Sequence, residues 1–250
     1  MGIVGKTRRV ILADEWRGFV ILLMVFYHTV YDLVALFGVP ISWFYTGIGH
    51  GLQQFICISF IFISGICCRF SRSNLRRGAV AFGLAMLLTV GTLLVTPQVA
   101  IWFGVLHLLG ISMMLYPLLR PLLDKLPRDF GLVLFLALFL VFKQVPSGWI
   151  GLGPWQMELP NSLYRYTWLA WLGFPGPAFS SGDYFPLIPW LFLFLAGSFL
   201  GRRAQAGALP RFCYSSHLPW LAAVGRASIW IYMLHQPVIY GLLWLYFRVF

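Results

Sequence analysis

The run Trp16–Phe37, WRGFVILLMVFYHTVYDLVALF, holds 22 residues of which only Arg17, His28 and Asp32 are charged or titrate near neutral pH. About 20 apolar residues are enough for a helix to cross the hydrocarbon core of a bilayer. Runs of similar length recur near 49–68, 78–95, 100–119, 130–146, 185–201 and 226–247. Seven such segments in 250 residues predict a single all-α domain over 1–250, a polytopic integral membrane helical bundle of about seven transmembrane helices. Composition agrees, since 60% of residues are hydrophobic and 10% charged, against about 25% charged in soluble domains. So apolar a chain is neither disordered nor an ordinary water-soluble globule.

The net charge of +11 would suggest nucleic acid in a soluble protein. In a membrane protein it reads as topology, because cytoplasmic loops hold the Lys and Arg. Lys6, Arg8, Arg9 and Arg17 precede the first span, and Arg69, Arg72, Arg76 and Arg77 join spans 2 and 3. Arg120, Lys125 and Arg128 join spans 4 and 5, and Arg202, Arg203, Arg211 and Arg226 join spans 6 and 7. Only Lys143, Arg165 and Arg248 fall on the other side, so 15 of the 18 basic residues place the N-terminus in the cytoplasm. The first run is too long for a signal-peptide core and lacks a small-residue cleavage site, so it reads as a retained span. The stretch 161–175 is too short to span and contains Arg165, which predicts an interfacial or re-entrant helix. Cys57, Cys67, Cys68 and Cys213 have no metal-ligand spacing and read as packing residues.

Ionisable groups inside spans cost about 2.5–3.5 kcal/mol each at mid-bilayer on insertion scales, so each needs a partner or a purpose. His28 and Asp32 stand four apart, on one helix face and within hydrogen-bond reach. His28 lies 12 residues beyond Trp16, about 18 Å along the helix, in the outer half of the span. A carboxylate accepting one imidazole N–H fixes the tautomer and raises the basicity of the other nitrogen, as a general base requires. A proton relay in a transporter or flippase for a glycan or lipid is the competing use of the same pair. The two halves of the chain show no convincing self-similarity, which disfavours a repeat-built transporter. His107 and His235 fit either an interhelical hydrogen bond or chemistry. His50 opens span 2 on the outer side, and His217 lies in a cytoplasmic loop with no assigned role. Arg69, Arg72, Arg76 and Arg77 fit bidentate contacts to the phosphates of a cofactor, or positive-inside topology alone. Glycines 65, 104, 110, 197 and 225 read as close helix packing.

These residues resemble a family of bacterial membrane proteins similar to the catalytic domain of heparan-alpha-glucosaminide N-acetyltransferase, with a likeness to the wider transmembrane acyltransferases. The resemblance runs along most of the chain. It is carried by Asp14, Arg17, Gly18, His28 and Asp32, by Phe62-Ile63-Ser64-Gly65 with Ser71-Arg72, and by Phe103-Gly104-Val105-Leu106-His107. The last two blocks are Asp183-Tyr184-Phe185-Pro186-Leu187-Ile188-Pro189-Trp190 and Leu234-His235-Gln236-Pro237. The resemblance implies transfer of an acetyl group from cytosolic acetyl-CoA to an amino sugar or other glycan on the outer side of a bacterial inner membrane. Acetyl-CoA is then the acyl donor, with no metal and no nucleic acid involved, and a homodimer is allowed. The lysosomal member's active histidine belongs to the stretch between its first two spans, where His50 does not align cleanly; His28 is the preferred match and His50 the reserve.

The implied mechanism passes the CoA pantetheine arm into a helix-lined channel from the cytoplasm, its phosphates near Arg69, Arg72, Arg76 and Arg77. His28, oriented by Asp32, deprotonates the acceptor, and His107 steadies the developing oxyanion. An acetyl-histidine intermediate is equally consistent. Asp183, Trp190, His235 and Gln236 are expected at the acceptor, with Trp149, Trp155, Trp168 and Trp171 either against sugar faces or anchored at the membrane interface.

Overall fold

The computed structural model describes residues 9–249, so Lys6 and Arg8 of the basic N-terminal group lie outside the described residues. Within them there are eight α-helices: α1 (Ile11–Ala35), α2 (Gly47–Cys68), α3 (Asn74–Val95), α4 (Val105–Leu123), α5 (Arg128–Phe142), α6 (Leu187–Gln205), α7 (Pro219–Arg226) and α8 (Ser228–Val249). The fold is all-α, its one sheet being a hairpin that pairs Trp149–Ile150 with Met157–Glu158. Six segments are long and apolar enough to cross a membrane: α1, α2, α3, α4, α5 with the turn behind it to Ser147, and α6. The seventh expected span falls on α8, whose 22 residues suffice in length but fall outside those six. Apolar side chains such as Leu87, Leu94, Leu118, Val133 and Leu242 are exposed on these helices, surface that lipid would cover.

The stretch 161–175 does not form the expected interfacial helix. It contains two single 3-10 turns, Asn161–Tyr164 and Thr167–Leu169, in a loop running from α5 to α6. This loop is tied down by backbone bonds, Leu187 N–H to Trp171 O and Ile188 N–H to Leu172 O, both 2.9 Å, so its polar groups are met without a helix.

The helices group into two compact units. The first takes the residues up to Phe60 and those from Leu209 on, hence α1, the beginning of α2, α7 and α8. Its core packs Val20, Ile21 and Met24 of α1 with Ile56 of α2, against Val224 of α7 and Ile231 and Tyr232 of α8. In this unit α1 and α7 touch through their backbones, because a Cβ on Gly18 would lie 2.0 Å from the Leu221 carbonyl oxygen and one on Gly225 2.0 Å from that of Asp14. The Glu15 carboxylate accepts from the N–H groups of His217 at 2.7 Å and Leu218 at 2.8 Å, capping the start of α7.

The second unit is Ile61–Ala208. Here the end of α2 meets α6 at Gly65 and Gly197, and α3 meets α4 at Gly78 and Gly110, so glycines at helix contacts serve close approach. Tyr116, Phe194 and Phe199 are fully buried in its core. Trp190, expected at the acceptor, packs there too, its ring 5.3 Å from Phe139 and 4.9 Å from Phe185, with 7% of its surface exposed. The apolar start of α6 draws the indole inward.

Candidate functional site

In the first unit α1 and α8 bring together four polar residues separated by some two hundred positions: His28, Asp32, His235 and Gln236. The carboxylate of Asp32 is fully buried, and its Oδ1 accepts from the Gln236 amide at 2.7 Å. Asp32 makes no hydrogen bond to His28. The His28 ring instead faces His235, with ring centroids 4.8 Å apart at 63°. The helical period does put His28 and Asp32 on one face, but α8 supplies the partner for each. His235 donates from Nδ1 to the Tyr232 carbonyl at 2.7 Å. A carbonyl only accepts, so this bond puts the proton of the neutral ring on Nδ1 and leaves a lone pair on Nε2.

Three atoms of this cluster are buried without a hydrogen-bond partner among the described residues: Asp32 Oδ2, His235 Nε2 and Gln236 Oε1. Each is an acceptor. Buried polar groups in folded proteins are nearly always satisfied, and leaving one unsatisfied costs about 1–3 kcal/mol. All three belong to the Asp32–Gln236 contact and the residue next to it, and N–H or O–H donors would satisfy them. His50, the reserve histidine, is exposed at the start of α2 and joins no such cluster.

In the second unit His107 opens α4, but both ring nitrogens are engaged. Nδ1 accepts from the Gly104 N–H at 3.2 Å. Nε2 lies 3.2 Å from the Thr89 hydroxyl, whose own proton goes to the Ile101 carbonyl at 2.7 Å, so Nε2–H donates to Thr89. With 2% of its surface exposed, His107 holds the N-terminus of α4 and has no donor to spare for an oxyanion. Asp183 joins the same helix end, its Oδ2 accepting from the Val105 N–H at 3.0 Å. A Cβ on Gly104 would sit 2.3 Å from that oxygen, which is why this position holds glycine. Asp183 thus caps α4 and is not held free for an acceptor, while Trp149, Trp155, Trp168 and Trp171 of the same loop are exposed.

Burial raises the Asp183 carboxyl, against the opposing Val105 hydrogen bond, to about 6. The folded protein then holds a proton there that the unfolded chain has already lost, so stability falls as pH rises from about 4 to about 6 and is level above. Asp183→Asn keeps an acceptor for Val105 and removes this slope. Thermal unfolding in detergent between pH 4 and 8 checks it: a wild-type midpoint unchanged across the window, or an equal slope in the variant, contradicts the assignment.

The four arginines expected near the cofactor separate. Arg69 is buried, its guanidinium paired with both carboxylate oxygens of Asp124, its Nε 3.4 Å from the Ser198 carbonyl, and its charge over the Tyr116 ring at 5.7 Å. That corrects its place in an open cluster, because its charge is spent in fastening the ends of α2 and α4 to each other and to the middle of α6. The same bond holds the Asp124 carboxyl below its usual range. Arg72, Arg76 and Arg77 are exposed around the first turn of α3, where Ser73 accepts from the Arg76 N–H at 3.3 Å. Asp124 and Glu15 escaped notice in the sequence, although an acidic residue in a basic loop is itself a signal that a nearby cation or helix end needs it. Thr89 gave no signal at all.

An apolar chain with six membrane-length helices, and a half-buried imidazole pair beside a buried carboxylate on α1 and α8, fits an integral membrane protein of the acyltransferase class. The chain belongs to the heparan-alpha-glucosaminide N-acetyltransferase catalytic family, whose model matches residues 9–237. No curated protein and no solved structure shows significant similarity to it.

Proposed function

We propose that this protein moves an acetyl group from cytosolic acetyl-CoA to an amino sugar or other glycan that reaches it from the outer side of a bacterial cytoplasmic membrane. The observation that carries this reading is the set of three orphaned acceptors at Asp32, His235 and Gln236, within an apolar pair of helices of an acyltransferase family. The hydroxyls of an acceptor sugar, together with its reacting amine or hydroxyl, bring the donors these atoms lack, and the proton of the reacting group leaves to an imidazole of the His28–His235 pair. The basic loops lie in the cytoplasm with the N-terminus, by the distribution of Lys and Arg.

The CoA phosphates fit Arg72, Arg76 and Arg77, three exposed guanidiniums at a helix N-terminus with no ion pair among the described residues. The test is release of free thiol from acetyl-CoA by purified protein against a panel of amino sugars and glycans. Release that depends on acceptor supports the enzyme; transport without release supports the proton-coupled carrier. In the active enzyme Arg72→Gln with Arg76→Gln is expected to raise KM for acetyl-CoA about tenfold with kcat little changed, since phosphate contacts contribute equally to ground and transition states. An unchanged KM in normally inserted protein reduces the cluster to a topology signal.

A further inference from the structure

We propose that the imidazole that takes the acceptor's proton is His235, acting through Nε2, and that His28 is a positioning residue. The assignment rests on the acetyltransferase reading above and deepens it.

The geometry of the two rings differs in the one respect that matters for a base. His235 has its tautomer fixed, because Nδ1–H is committed to the Tyr232 carbonyl at 2.7 Å. The lone pair on Nε2 is consequently the atom presented, and it is buried without a partner. A hydrogen bond on one nitrogen that orients the ring and leaves the other bare is the arrangement a general base needs. His28 has no hydrogen bond among the described residues that would choose its tautomer, and its carboxylate neighbour four residues on is turned to Gln236. What His28 does is pack its ring against His235, with Tyr27 and Tyr31 in edge contact behind it. That contact limits the rotation of the His235 ring.

The residues beside Nε2 complete the description. Gln236 follows His235 directly and ties α8 to Asp32, leaving its own Oε1 and Asp32 Oδ2 as the other two vacant acceptors. Pro237, next in the chain, has no N–H to give the Met233 carbonyl and so loosens α8 just beyond the pair. An acceptor sugar whose neighbouring hydroxyls donate to Asp32 Oδ2 and Gln236 Oε1 directs the N–H or O–H of its reacting group at Nε2. As that group's nitrogen or oxygen forms the new bond to the thioester carbonyl carbon, the proton passes to Nε2. Collapse of the tetrahedral adduct breaks the carbon–sulfur bond, and the departing thiolate takes that proton, giving the acetylated acceptor, CoA thiol and neutral His235.

The deciding variant is His235→Asn. Its side-chain amide places an N–H close to where Nδ1 lies and keeps a donor for the Tyr232 carbonyl, while nothing remains at Nε2. Turnover is expected to fall by about 10²–10⁴ with KM for acetyl-CoA, detergent-phase elution and thermal midpoint near wild type. His28→Phe keeps a ring against His235 and is expected to lose about tenfold or less, as a ring contact of ~1 kcal/mol implies, while retaining the acid limb of the kcat/KM profile. A folded His235→Asn protein with near-normal turnover overturns the assignment, and so does a folded His28→Phe protein whose acid limb has vanished. If His235→Asn fails to fold, the His28→Phe profile decides: a retained limb supports the assignment and a lost one ends it. A wild type that releases no CoA with any acceptor overturns the acetyl-transfer reading itself, which distinguishes the two failures.

Discussion

Asp124→Leu is expected to destabilise the protein by about 1–3 kcal/mol, because it strands the buried Arg69 guanidinium without its counter-ion, at a site that water reaches from the Asp124 side. Arg69 has 2% of its side chain exposed, and both its terminal nitrogens bond Asp124. The Ser198 carbonyl and the face of Tyr116 remain in the variant, but neither carries a negative charge. The second half of the prediction identifies the cause. Removing both charges, as Arg69→Met with Asp124→Leu, is expected to restore most of the loss, since no uncompensated cation is then left inside. Thermal unfolding of the two variants in the same detergent makes the comparison. Equal destabilisation of single and double variants would show that packing, and not an uncompensated cation, holds the ends of α2 and α4 together.

Gly65→Ala is the other change expected to be severe. Its Cβ would lie 2.0 Å from the Phe194 carbonyl oxygen, and in return a Cβ on Gly197 would lie 2.1 Å from that of Phe62. Backbone does not give way as the tip of a side chain does, so α2 and α6 must part by more than an ångström within the second unit. Overpacking of a core costs about 1–3 kcal/mol and occasionally more, and the upper end is expected where the obstacle is a helix backbone. Gly83→Ala is the control. Nothing lies within 4 Å of its would-be Cβ on the exposed face of α3, and alanine there is expected to be neutral or to stabilise by about 0.5–1 kcal/mol. A Gly65→Ala protein that melts with wild type would show that the two helices are free to separate.

The sequence legibly contained the spans, because a bilayer demands about twenty apolar residues per helix and a chain of this composition announces them by length alone. It also contained the purpose of Gly65, Gly110, Gly197 and Gly225, since a missing side chain in an apolar helix marks where another backbone approaches. The loop 161–175 misled, because its apolar residues have helical spacing in part while its backbone bonds are made with the segment entering α6. Periodicity put His28 and Asp32 on one face of α1, and that holds.

What the helix period left open was the partner of each polar group. Asp32 bonds Gln236, His28 faces His235, Arg69 is spent on Asp124, and His107 is closed off by Gly104 and Thr89. Hydropathy sets which segments enter the membrane and their length. The rotation and register of one helix against another are fixed by side-chain packing between segments distant in sequence, as when α8 brings residue 236 to residue 32. Only tertiary structure decides which buried atoms are satisfied and which, like Nε2 of His235, remain available for chemistry.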